Sequence, residues 1–189
     1  MLGFLRRRRF ERAGFALYGA AVAAARQPWF YRELGVPDTL DGRFDLVGLH
    51  AYLVIRRLSA MPPPGPDVSQ AVFDAMFADM DTNLREMGVS DLAVGKRVKT
   101  MWEAFHGRAA AYESALAAGH ETPVNAPQID ALLADALARN VWRGSVPVPD
   151  APQRLARLVR RHVASLDQLA PAVLQAGKLS FPAPEEVSA

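Results

Sequence analysis

Residues 35–58 read Gly35-Val-Pro-Asp-Thr-Leu-Asp-Gly-Arg-Phe-Asp-Leu-Val-Gly-Leu-His-Ala-Tyr-Leu-Val-Ile-Arg-Arg-Leu58. The first half is turn chemistry. Pro37 fixes its own φ and biases Val36 toward an extended conformation, while Asp38 and Thr39 carry oxygens that accept from nearby backbone N–H groups. Gly42 permits a backbone angle that a side chain resists. From Leu46 to Leu58 polar residues are sparse, so a helix over this run is apolar on most of its circumference and sits deep in the protein.

The same reading extends in both directions. A first helix over about Glu11 to Arg26 is ended by Pro28, and a short aromatic element, Trp29-Phe30-Tyr31, leads into the Gly35 loop. The second long helix, about Phe44 to Ala60, stops at Met61-Pro62-Pro63-Pro64-Gly65-Pro66, expected to be a stiff extended connector. Asp67 or Ser69 is placed to cap a third helix, in which Phe73, Met76, Phe77, Met80, Leu84 and Met87 follow the helical period. Gly88 suits a left-handed cap at its end. Ser90 then opens a fourth and longest helix, with Gly95 and Gly107 inside it as sites for a bend or a close helix crossing. Ile129 to Val141 forms a shorter helix. After the linker Val146-Pro147-Val148-Pro149, a last one begins near Pro152, with Leu155, Leu158, Val159, His162 and Leu166 on one face and Arg154, Arg157 and Arg161 on the other. No run alternates as a strand does. The expected fold is all-α, a single-domain bundle of roughly six to eight helices. Residues 1–27 form a basic segment and first helix, 28–177 the main helical domain, and 178–189 a flexible tail.

Half of the 189 residues are apolar and 22% are charged, the balance of a soluble globular domain. There is no cysteine, which excludes disulfides and thiolate metal sites. The overall charge is +2, but residues 1–12 alone hold five arginines and one glutamate, leaving −2 for the rest. A body of that sign does not indicate DNA binding. No window reaches the ~18–20 apolar residues needed to span a bilayer. Phe4 with Arg6, Arg7, Arg8 and Arg9 instead makes a compact signal for an anionic membrane surface, where each basic residue contributes about 1 kcal/mol. A signal peptide over the following alanine-rich run is disfavoured by Arg26-Gln27-Pro28, and the location expected is a bacterial cytoplasm, peripheral at the inner face of the inner membrane.

Residues able to do chemistry are few. Glu103 and His106 stand at i, i+3 as in carboxylate di-iron proteins, but such sites need two of these pairs and this chain has one. His50, inside the apolar helix, reads as a core histidine bonded to backbone, and His120 and His162 carry no pattern of their own. With no cysteine, no nucleophile elbow and no phosphate loop, nucleophilic catalysis has no visible constellation. Arg43 and Asp38 flank the turn as a pair. Asp79, Asp81, Arg85, Glu86 and Asp91 cluster near the end of the third helix, with Asp81 and Arg85 at ion-pair spacing. Lys96, Arg97 and Lys99 open the next helix, where cations are unfavourable, which marks them as a contact for acidic protein loops, ribosomal RNA or lipid head groups. Met61, Met76, Met80, Met87 and Met101 read either as core or as a pliable groove. Trp29, Phe30, Tyr31, Trp102 and Trp142 read as core, with Trp29 or Phe30 also suited to a membrane interface.

Several strings in order resemble a known family: the Gly35–Leu58 stretch, Phe77-Ala-Asp-Met-Asp-Thr-Asn-Leu-Arg-Glu-Met-Gly-Val-Ser-Asp91, Val94-Gly-Lys-Arg-Val-Lys99, Ala104-Phe-His-Gly-Arg-Ala-Ala-Ala-Tyr112 and Ala136-Leu-Ala-Arg-Asn-Val141. Together they look like the ubiquinol–cytochrome c chaperone family, whose mitochondrial members assist synthesis and assembly of cytochrome b. The likeness spans roughly Pro28 to Val141, about three-fifths of the chain. It implies a non-enzymatic assembly chaperone without a cofactor, whose partners would be nascent or unassembled cytochrome b, the ribosome and an anionic membrane surface. Within it Lys96, Lys99, Asp79, Asp81, Arg85 and Arg43 are the expected polar contacts to the client. The alternatives are a helical binder of quinone, lipid or haem through His50 or His106, and a general membrane-surface protein.

Overall fold

A computed structural model describes the backbone of residues 2–121 and 126–184 and the side-chain surroundings of residues 10–118 and 130–184. Eight helices and no strand are found among the described residues: α1 (Leu2–Ala25), α2 (Pro28–Arg32), α3 (Leu40–Ser59), α4 (Gly65–Glu86), α5 (Asp91–Glu121), α6 (Ala126–Val141), α7 (Ala151–Gln168) and α8 (Pro171–Gln175). The all-α bundle is as the sequence indicates. The buried helix is α3, which contacts α1, α4, α5, α6 and α7. Leu46, Leu49, Ala51, Leu53, Val54 and Leu58 are all at most 1% exposed, which only a helix surrounded by others achieves.

Local chemistry explains the boundaries, and in places revises them. α3 begins four residues earlier than periodicity places it, because Thr39 caps it by accepting from the Gly42 N–H at 3.2 Å. Gly42 is therefore helical. It is needed for space, since a Cβ there would fall on the carbonyl oxygen of Pro37. Met61–Pro64 is a folded turn rather than an extended connector, and Gly65 and Pro66 already belong to α4. Neither Asp67 nor Ser69 caps α4. Asp67 lies in its first turn, and Ser69 is buried, its hydroxyl 2.8 Å from that of Ser59 and donating to the carbonyl of Ile55 at 3.3 Å, which pins α4 to α3. Gly88 does end α4 in the left-handed region, with φ +80, and the Val89 N–H closes on Leu84 O at 3.0 Å. Gly95 and Gly107 have open space where a Cβ would stand, so they mark no crossing; the close approach is at Gly14, against the backbone of Ala71.

The two ends differ most from expectation. α1 begins at Leu2, nine residues before Glu11, and from Ala13 onward packs into the core beside α3 and α4. Leu179 and Phe181, in the stretch expected to be a flexible tail, pack against the core, and Pro184 is buried. The remainder of that tail, residues 185–189, lies outside the described residues. Trp29, Phe30 and Trp142 are core, so the first two are not offered to a membrane, whereas Trp102 is 45% exposed.

Gly42→Ala is expected to lower stability by about 2–3 kcal/mol, because its new methyl meets backbone that cannot swing away. Gly95→Ala is expected to be neutral or stabilising by up to about 1 kcal/mol. Urea unfolding midpoints of the two variants check both.

Candidate functional site

α1 and α4 run in the same direction, since Gly14 meets Ala71 and Tyr18, further along α1, meets Asp79, further along α4. Between them and the start of α3 lies an open groove of about 290 Å³. α1 lines it with Tyr18 and Val22 on successive turns, the turn after it with Arg26, and α3 with Leu40, Arg43, Phe44 and Val47. α4 adds Asp79, Met80, Asn83, Leu84 and Glu86, its C-cap adds Met87, and α5 adds Met101. Met80 is buried in the floor, Met101 is half-buried, and Met87 and Leu40 stand 51% and 50% exposed at the mouth. Met61 and Met76 are wholly core. The methionines thus divide between core and groove.

Two of the six expected polar contacts line this groove. The Tyr18 hydroxyl donates to Asp79 at 2.6 Å, and burial together with that carboxylate pushes the phenol pKa up. Arg43 donates to Asp38 at 2.6 Å in an exposed pair that lowers the pKa of the Asp38 carboxyl. Asp81 and Arg85 pair at 2.6 Å away from the groove, and Arg85 also reaches Asp91 across the Gly88 turn, tying α4 to α5. Lys96 and Lys99 lie exposed on α5 outside the groove, with Lys99 3.9 Å from Glu103. Phe4 and Arg6 to Arg9 fall within the first turns of α1, but their side chains lie outside the described residues.

A second groove of about 650 Å³ runs between α3, α4 and α5. Its rim is already knitted: Tyr52 and Arg56 both donate to Glu113, at 2.6 and 2.8 Å, and Arg57 donates to the carbonyls of Leu166 and Asp167 at the end of α7. His106 beside it donates through Nδ1 to Trp102 O at 2.9 Å and stacks on the Trp102 ring, while Glu103 faces Lys99. The Glu103–His106 spacing therefore serves helix-surface contacts.

Two buried polar clusters bring together residues whose pairing was not legible in the sequence. Asp45, 1% exposed on α3, faces Arg108 of α5 at 2.7 Å and Arg143 at 3.6 Å. Burial raises its pKa to about 6, against the pull of the two arginines. Arg143 holds φ +54, a left-handed conformation costing about 1 kcal/mol or more, and from there reaches both Asp45 and Asp41. The second cluster joins His50 to His162, rings 5.3 Å apart, with Phe181 in T-shaped contact with His50 and tilted against His162. His50 donates to Leu46 O at 2.8 Å, as expected of a core histidine, and His162 donates to Pro182 O at 3.2 Å. Burial lowers their pKa values to about 4 and about 3, the second helped by the nearness of His50. The signal for His162 was its place on the apolar face of α7; for Asp45 it was a lone carboxylate entering the buried run.

The sequence matches the family described as "Ubiquinol-cytochrome C chaperone" over residues 32–181. The chain belongs to that family. The chaperone-family match runs 40 residues beyond Val141, so it takes in α7, α8 and the Phe181 segment. Among related proteins, "Ubiquinol-cytochrome-c reductase complex assembly factor 1" of Xenopus laevis is 23% identical over 157 residues, covering 83% of this chain and 74% of that one. The Drosophila melanogaster protein of the same name is 23% identical over 158 residues, 81% of this chain but only 57% of its own length. The crystal structure of the Cbp3 homolog from Brucella abortus superposes with a TM-score of 0.81 at 33% identity, over the whole of both chains.

The buried clusters set the acid stability of this family member. Both histidines hold pKa values below their unfolded value near 6.5, so unfolding takes up protons and stability falls as pH drops through 6.5 toward 4. Asp45 acts in the opposite sense, its raised pKa restoring stability as pH falls from 6 toward 3.8. Between pH 7 and pH 5 the histidines dominate, and a net loss of roughly 2–3 kcal/mol is expected in urea unfolding. His162→Phe is expected to flatten that slope, and an unchanged slope would refute the assignment.

Proposed function

We propose that this protein is an assembly factor for ubiquinol–cytochrome c reductase that holds unassembled cytochrome b, acting by binding rather than by catalysis. The observation that carries this reading is the open groove, apolar along its floor, methionine at its mouth and charged on its rim. An unassembled membrane protein exposes apolar helix faces near water at a high cost, and a groove of adaptable thioethers shields such faces without demanding one shape. Arg43 and Asp79 are its rim contacts. Lys96 and Lys99, on the exposed face of α5, form a further cationic contact surface, with Asp81 and Arg85 fixing the turn beside it. Family membership and the named role of the Xenopus and Drosophila relatives support the same assignment.

No helix among the described residues is long and apolar enough to cross a membrane. The basic start of α1 is proposed to attach the protein peripherally to the anionic inner face of the membrane, beside the emerging client. Removing residues 1–12 is then expected to shift the protein from the membrane fraction to the soluble fraction on flotation, and unchanged partitioning would remove this role.

A photoreactive residue at Leu40 or Met87 is expected to capture cytochrome b in cells, and one at Lys96 tests the α5 surface separately. Met87→Lys should lower the cytochrome b haem absorbance of membranes with little change in melting temperature, since the side chain is exposed. Capture at neither Leu40 nor Met87, with normal haem absorbance in the variant, would sink the groove as the client site.

A further inference from the structure

Arg26 and Arg43 line two cavities at once. Beyond them the groove opens into a basin of about 490 Å³ lined by Arg26, Arg32 and Arg43, with Pro28, Tyr31 and the single carboxylate of Asp38. Asp38 neutralises Arg43 at 2.6 Å. Arg26 and Arg32 are exposed and make no ion pair among the described residues. The combined trench therefore has one polarity. It begins at the Tyr18–Asp79 pair, runs over Met80, Met87 and Met101 past the Glu86 carboxylate on its wall, and ends at the basin, where three guanidinium groups face the one carboxylate of Asp38.

Resting on the client reading above, we infer that the trench orients its occupant: it takes an apolar helical segment of the unassembled polypeptide with acidic residues at one end, and those acids dock between Arg26 and Arg32. The dimensions fix the length. Tyr18 on α1 and Arg26 in the turn that ends it are eight residues apart, about 12 Å at the helical rise, so the apolar part spans roughly two client turns before the acidic end. Guanidinium forks match carboxylates geometrically and remain charged at any working pH. An anionic lipid shares the apolar-then-anionic pattern. The groove, however, is open along its length, with Leu40 and Met87 half-exposed at its mouth. A single acyl chain there stays largely in water, whereas a helix lays one face into such a groove and keeps its other face outside. Charge complementarity at the basin then selects which end of the helix lies there.

The test uses the full-length protein and fluorescent fourteen-residue amphipathic helices that differ only in one terminal pair, Glu-Glu, Gln-Gln or Lys-Lys, read by anisotropy. The Glu-Glu peptide is expected to bind about tenfold more tightly than Lys-Lys, the scale of two exposed charge contacts. Arg26→Glu with Arg32→Glu is expected to reverse that order, with melting temperature unchanged. A photoreactive group beside the glutamates should crosslink within residues 26–32, and at the far end near Tyr18. Equal binding of all three peptides, still abolished by Met87→Lys, would overturn the orientation while leaving the groove reading intact. Failure of every peptide to bind would overturn both. Displacement of the dye-labelled helices by dilute phosphatidylglycerol vesicles, with loss of the Arg26 and Arg32 dependence, would assign the basin to lipid and overturn the inference.

Discussion

A helix enclosed by five others leaves no room for an unanswered charge, and the architecture follows from how α3 meets that constraint. Its aliphatic residues supply the driving force for burial, but they do not set the angle or height at which each neighbour docks. The polar groups do. Asp45 draws Arg108 from α5 and Arg143 from the turn after α6; Ser69 of α4 donates to the Ile55 carbonyl; Tyr52 reaches Glu113; and Arg57 caps the end of α7. Each neighbour is held at a point where α3 would otherwise carry a desolvated group without a partner. The strained backbone of Arg143 belongs to the same logic. A left-handed arginine is tolerated because its guanidinium meets a carboxylate that burial would otherwise leave half-compensated.

What the sequence conveys is set by the range of the interactions. Gly88 as a left-handed cap, the burial of residues 46–58 and the length of α5 are local or periodic properties, readable in the chain because a few neighbouring residues determine them. The proline run misleads for the same reason. Taken alone it reads as an extended spacer, but Gly65 packs against the Leu58 carbonyl, and that tertiary contact folds the turn and starts α4 early. The partners of Asp45 lie 63 and 98 residues away, and nothing in their own neighbourhoods identifies them. Of the expected rim residues, Asp79 and Arg43 line one groove because α4 runs alongside α1 from Gly14 onward and the first turns of α3 lie beside both. Lys96 and Lys99, equally conspicuous in sequence, are turned away by the same register.

The histidine pair shows how burial converts an ordinary residue into a structural one. His162 carries no motif, yet α7 places it on the apolar face, α3 places His50 opposite, and Phe181 covers both. Two imidazoles in that setting are compatible with the fold only while neutral, each using its single N–H on a carbonyl. The ring that α3 would need for ligating haem is thereby sealed, and the segment that seals it lies within the stretch matched to the chaperone family.

Rigidity and adaptability are thus separated by position. The pinned contacts lie around α3, whereas the groove lies at the bundle's edge, where α1, α4 and α5 meet only the first turns of that helix. Methionine suits such an edge: Met80 anchors in the core while Met87 and Met101 retain freedom to reorient around an arriving face. Under the proposed function, a client that must later be surrendered to its complex could not be held by a closed, jigsaw-packed site, because release would then require opening the bundle. An open groove on a rigid scaffold avoids that. In the proposed role, affinity would come from apolar area exposed on one side only, and discrimination from a few rim charges in water, each too weak to trap the client.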